Sequence, residues 1–139
     1  MADDLASAVA SSVAAMRAQS TRLRVVSENL ANASVTATKP GADPYVRKTI
    51  NFREELDRAS GASLVRVGAI GKDNSPFPVQ QDPGHPAADA NGNVKLPNVN
   101  ALIELADMRE AHRSYEASLQ VVRQTRDMIG DLVELLKGK

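Results

Sequence analysis

The chain has 139 residues, one domain's worth, with 17 basic and 17 acidic side chains and no cysteine. The balanced charge argues against a nucleic-acid partner, and the lack of thiols excludes a disulfide framework, a thiolate metal site and a cysteine nucleophile. Aromatic residues are only 3% of the chain, so apolar burial must come from Leu, Val, Ile and Ala on long helices rather than from a compact aromatic core.

The first segment, residues 1–34, reads as a helix. Asp3 and Asp4 suit the positive end of a helix dipole. They also stand where a secretory signal would carry basic charge, and no apolar run approaches the ~18–20 residues that span a bilayer, so direct membrane insertion is not expected. Val9, Met16, Leu23 and Leu30 recur at seven-residue intervals, with Ala6, Val13, Ser20 and Ser27 at the complementary heptad positions. Small side chains permit close helix approach but bury little area, so this helix is weak alone. Asn29 and Asn32, three apart, share a face, and from spacing Asn32 and Ser34 read as capping and turn residues.

Residues 35–97 form a β-rich and loop insertion. Lys39 to Pro44 is a turn-rich connector, Val46 to Phe52 alternates as a short strand, Glu54 to Asp57 reads as an added helical turn, and Leu64 to Ile70 is the better strand. Asn91-Gly92 is the pair favoured in a tight hairpin. Between these lies Asp82-Pro83-Gly84-His85-Pro86-Ala87-Ala88-Asp89. Its Asp82, His85 and Asp89 side chains could serve a metal-dependent hydrolase, but a metal site needs more ligands than the stretch supplies. The bland alternative is a rigid turn fixed by two prolines.

Residues 98–139 carry the strongest pattern. Leu105, Met108, His112, Tyr115, Leu119, Val122, Arg126, Ile129, Val133 and Leu136 alternate at steps of three and four, the seam of a helix that wraps on other helices. Asn98 or Asn100 can cap its start. Such a helix is roughly 50–60 Å long, too long for a small core to cover. No phosphate loop, nucleophile elbow or His-Glu-x-x-His motif occurs, and His112 on the seam reads as an interface histidine; no enzyme activity and no cofactor are expected. The chain is therefore expected to be mainly α, its long N- and C-terminal helices pairing as an antiparallel coiled coil with a small β-rich insertion between them, and leftover stripe pairing with neighbours.

Three stretches carry a family resemblance. Arg17-Ala18-Gln19, Arg22, Arg24-Val25-Val26, Ser27-Glu28, the Asn29-Leu30-Ala31-Asn32 motif, Thr36 and Pro44-Tyr45-Val46-Arg47-Lys48 resemble the signature of flagellar basal-body rod and hook proteins. Asp82-Pro83-Gly84-His85-Pro86, Ala88-Asp89, Gly92-Asn93-Val94 and Leu96-Pro97-Asn98-Val99-Asn100 resemble the hallmark region of the family's proximal-rod members. Glu104 to Met108, Ala111 and Arg113 to Ala117 resemble the opening of their last helix. The resemblance implies a structural subunit of the proximal rod, stacking helically around the export channel as part of a torque-bearing driveshaft. Implied partners are copies of itself and other rod subunits, the flagellar type III export apparatus and basal-body ring components. The implied location is the basal body where the rod spans the periplasm, after synthesis in the cytoplasm. The rival reading is a cytoplasmic coiled-coil adaptor forming a discrete oligomer.

Overall fold

A computed structural model describes residues 2–138. Helix α1, Ala2–Ala31, and helix α2, Ala101–Lys137, enclose four strands: β1 Lys48–Leu56, β2 Ser63–Lys72, β3 Val79–Gln81 and β4 Asn93–Lys95. The helices are antiparallel. Asn29 near the end of α1 meets Glu104 at the start of α2, while Asp4 and Leu5 share a cleft with Met128, Asp131, Leu132 and Leu135 near the other end of α2. The mainly-α architecture with a small β insertion is the one expected.

The helix boundaries have local causes. Asn100 caps α2, its side-chain oxygen accepting from the amides of Leu102 and Ile103 at 3.0 and 3.3 Å. At the end of α1 the Asn32 amide and side chain both donate to the Glu28 carbonyl, at 3.1 and 2.8 Å, closing the last turn.

The helices meet on a face made mostly of small residues. Buried positions are Ala14, Ala18, Val25, Val26 and Asn29 on α1, and Glu104, Ala111, Val122 and Thr125 on α2. This face is rotated by about one residue from the most apolar stripe. Leu105, His112, Arg126, Ile129, Val133 and Leu136 are exposed. Alanine and serine let two helix backbones approach closely, so the small residues take the centre and the large apolar ones are left outside.

Strands β1 and β2 form an antiparallel hairpin, with a bulge where Ile50 pairs Ile70 but Phe52 pairs Val67. The hairpin runs along α1. Asn29 bonds Lys48 at its base, and the Ser7 and Ser11 hydroxyls donate to the carbonyls of Ser60 and Ser63, at 3.0 and 3.4 Å, near its tip. The expected helical turn at Glu54 to Asp57 is not formed. Glu54, Glu55 and Leu56 pair with Val65, Leu64 and Ser63 as strand, because ladder bonds to β2 override a weak local preference. The hairpin turns where Asp57 accepts from the Ser60 amide and hydroxyl, at 3.2 and 2.6 Å, and Gly61 takes φ +67.

The second sheet corrects another expectation. Asn91-Gly92 does not make a two-residue hairpin; β3 and β4 are joined by the whole loop of residues 82–92. Pro83 and Pro86 prevent strand from continuing up to it. The loop holds two consecutive β-turns, with the His85 amide on the Asp82 carbonyl at 3.1 Å and the Ala88 amide on the His85 carbonyl at 3.0 Å. Each has proline at its second position. Gly92 closes the loop at φ +79, and an added Cβ there would lie 2.9 Å from Pro83 Cγ.

The described core is modest. Its buried apolar set is one leucine, four valines and four alanines, while sixteen large hydrophobic side chains among the described residues are exposed.

Candidate functional site: a buried polar node and an open apolar ridge

Where α1 ends, the connector returns and α2 begins, side chains from four segments converge. Asn29 is 1% exposed and Glu104 fully buried. Asn29 fills its whole hydrogen-bonding capacity. Its amide nitrogen donates to the Lys48 carbonyl at 2.9 Å and to Glu104 Oε2 at 3.1 Å. Its oxygen accepts from the Lys48 amide at 2.8 Å and the Tyr45 hydroxyl at 2.9 Å. Arg47 Nε donates to Glu104 Oε1 at 2.6 Å and a second guanidinium nitrogen reaches Asp73 at 3.4 Å. The Arg47 amide donates to the Asn98 side chain at 2.8 Å, and Asn98 in turn donates to the carbonyls of Asp73 and Ser75, at 3.1 and 3.2 Å. Lys48 pairs with Glu28, and Arg22 with Asp107 at 2.5 Å.

The electrostatics follow from this geometry. Burial alone would lower the Arg47 pKa, but its hydrogen bond and charge contact with Glu104, then those with Asp73, outweigh it and hold the pKa above the ordinary value. The Tyr45 phenol is pushed up by burial first, then by the charges of Glu28 and Glu104. Asp73 is held low chiefly by the Ser75 hydroxyl and amide, with Arg47 adding to them. A buried carboxylate such as Glu104 persists only with a cation and donors around it; Arg47 and Asn29 supply them. The node is a structural joint, and one side of it, with Asn29, Arg47, Lys48 and Glu104, borders a cleft shared with Arg22, Phe52 and Asp107.

Of the motif residues expected from the sequence, Asn29 and Asn98 lie in the node, Asn32 closes α1, Leu30 is half-buried, Ala31 is exposed and Pro97 is buried. Asp82, Pro83, Gly84, His85 and Pro86 form the turns of the β3–β4 loop. His85 Nδ1 accepts from the Ala87 amide at 3.0 Å, and Asp89 accepts from the amides of Asn91 and Asn93, at 2.8 and 2.9 Å. Among the described residues no three His, Asp or Glu side chains are grouped to hold a metal ion. Glu104, Tyr45 and Arg47 entered the sequence reading only as members of the family-resembling stretches, and Asp73 not at all. The available signal was the Tyr45-Val46-Arg47 segment following an asparagine-rich helix end.

The stripe residues separate into three groups. Val9, Val13, Met16, Leu23, Leu30, Met108, Tyr115 and Leu119 are half-buried, Val122 is buried within the chain, and Leu105, His112, Arg126, Ile129, Val133 and Leu136 are exposed. Of the exposed group, Ile129, Val133 and Leu136 join Leu132 and Leu135, 42% and 70% exposed, in an apolar ridge along the last turns of α2. No helix among the described residues is long and apolar enough to cross a membrane.

Comparison with known proteins agrees along the whole length. Residues 90–135 match the family described as flagellar basal body rod FlgEFG protein C-terminal. The flagellar basal-body rod protein FlgC of Agrobacterium fabrum is 56% identical over 136 residues, 98% of either chain. FlgC of Salmonella typhimurium is 36% identical over 83% of this chain and 85% of its own. FlgC of Borreliella burgdorferi is 36% identical over 88% and 91%. With a joint of buried polar residues, an apolar ridge left outside and relatives matched almost end to end, the chain belongs to the FlgC family of flagellar basal-body rod proteins.

Proposed function

We propose that the chain is a structural, non-catalytic subunit of the proximal rod of the bacterial flagellar basal body. It assembles helically with copies of itself and other rod subunits, its two helices lining the export channel and the β-rich insertion facing outward. The observation that carries this reading is the imbalance between a small buried core and sixteen exposed large hydrophobic side chains, in a chain whose relatives are named as rod proteins over nearly their full length. Apolar surface on that scale is covered by neighbours. Close-packed interfaces deform little, which suits a shaft that carries torque. Delivery by the flagellar type III apparatus, contacts with basal-body ring components and a place in the rod where it spans the periplasm complete the proposal.

The test is composition. Hook–basal bodies purified from detergent-extracted flagellated cells are expected to contain the chain, by mass spectrometry, in a fixed ratio to other rod subunits. Finding it only in the soluble fraction of such cells would replace this reading with the cytoplasmic adaptor.

A further inference from the structure

The loop between β3 and β4 holds the chain's single Asn-Gly pair, Asn91-Gly92, which neither the helix pairing nor the buried node uses. Asparagine before glycine is the pairing most prone to lose its side-chain amide without an enzyme. The Gly92 backbone nitrogen, once deprotonated, attacks the Asn91 side-chain carbonyl carbon. The new C–N bond closes a succinimide ring, and the side-chain amide leaves as ammonia, taking up the proton that Gly92 gave. Water then opens the ring on either side, giving aspartate or isoaspartate, with no oxidant or cofactor involved. Glycine favours the closure because no Cβ crowds the attacking nitrogen. The fold cannot exchange it, since Gly92 sits at φ +79 and a Cβ there would lie 2.9 Å from Pro83 Cγ. Closing the loop therefore requires the very residue that makes the exposed Asn91 labile.

Asp89 restrains that reaction. Its side-chain oxygen accepts from the amides of Asn91 and Asn93, at 2.8 and 2.9 Å, and its backbone carbonyl accepts from the Gly92 amide at 3.0 Å. Gly92 is buried, so the attacking nitrogen is withheld from solvent base with its hydrogen already engaged. The amides on both sides of the Asn91 Cα are tied to the same residue, which also holds the main-chain rotation that would swing the Gly92 nitrogen toward the side-chain carbonyl. From across the loop the Asp82 amide donates to the Gly92 carbonyl at 2.9 Å. We propose that Asn91 is a site of spontaneous conversion to aspartate and isoaspartate, gated by the loop that Asp89 clamps. Conversion proceeds from the opened loop, so its rate follows the population of that local opening. The isoaspartate product routes the main chain through the former side-chain carbon, lengthening a loop whose ends are fixed where Gln81 pairs with Asn93. The gate lies within residues 82–93 and stands whatever the chain is built into, so its failure and that of the rod reading are separable.

The purified full chain is incubated in mildly alkaline buffer with and without urea. The peptide holding residue 91 is then followed by chromatography and mass spectrometry that separate asparagine, aspartate and isoaspartate. In urea, conversion at Asn91 is expected to outpace that at every other asparagine. In buffer alone it is expected to be slower by about tenfold or more, the protection that a closed loop gives against local opening. Each variant is compared with its own rate in urea. Asp89→Ala should abolish most of the protection, while Asp89→Asn, which removes the charge but keeps an acceptor oxygen for the two amides, should retain it. Should Asp89→Ala fail to fold, the unchanged chain's rates in buffer and urea still decide the gating. Equal rates in those two conditions would overturn the proposal, as would the absence of conversion at Asn91 in urea. So would a folded Asp89→Ala chain as protected as the unchanged one, or an Asp89→Asn chain that converts as fast as Asp89→Ala.

Discussion

The two ends of the helix pair are built on opposite principles. At the node end, Asn29, Tyr45, Arg47, Asn98 and Glu104 close on one another through directional bonds, and the two central side chains are almost wholly removed from water. At the distal end Leu5, Met128, Leu132 and Leu135 border an open cleft, and Leu135 and Leu136 are 70% and 78% exposed. Directional polar contacts define one arrangement and tolerate few others, whereas apolar surface accepts whatever complementary surface covers it. On the proposed reading, one end determines the shape of the subunit and the other is left for neighbours. Damage to the first should appear as lost stability and damage to the second as lost assembly.

Arg47→Ala should have the largest effect on stability. It strands the Glu104 carboxylate in the interior, which costs about 3 kcal/mol, the low end of what breaking a buried pair gives because Arg47 is itself partly exposed. Urea denaturation measures it, and combining the change with Glu104→Gln should recover part of the loss. Asn29→Ala comes next, at about 2 kcal/mol, since it leaves the Lys48 amide and carbonyl short of their partner at a buried site. A change of under 0.5 kcal/mol in either variant would deny the node its structural role.

The pH dependence should also belong mainly to the node end. Asp73 has a folded pKa below its unfolded one, so its contribution is present above the unfolded value and is lost as pH falls through the folded value, below about pH 4. Tyr45 has a raised pKa, so its contribution is complete below the unfolded value and is lost as pH climbs past about 10. Thermal midpoints across pH should show both limbs. Asp73→Asn should flatten the acid limb in part, the remainder coming from Asp57 at the hairpin tip, whose pKa the Ser60 hydroxyl holds down. Tyr45→Phe should flatten the alkaline one. The smallest stability effect belongs to Leu135→Ser, within about 0.5 kcal/mol for so exposed a side chain. The same variant should lose incorporation into rods and motility; normal swimming would show that the ridge is not an assembly surface.

The secondary structure was largely legible in the sequence. Three-four spacing marked both helices, Asn98 or Asn100 announced a cap, and alternation from Leu64 to Ile70 marked β2. The seam was not, for a physical reason. Periodicity finds the most apolar stripe, and in a chain with more apolar surface than it can bury that stripe need not face inward. Ala18, Ala111 and Thr125 carry too weak a hydrophobic signal to be chosen over Leu105, Ile129 and Val133, yet they take the buried face. The node was hidden differently. Its members at positions 29, 47, 73, 98 and 104 come together only once the connector has folded back, and an asparagine near a helix end looks like a cap until its partners are known.

Labelling of single cysteines compares the two ends most directly. In an otherwise cysteine-free chain, Leu135→Cys should react rapidly with a maleimide in the isolated protein and become protected in purified rods. Asn29→Cys, at the buried joint, should be slow in both. Equal, rapid labelling of position 135 before and after assembly would contradict the claim that the distal end is open because neighbours cover it.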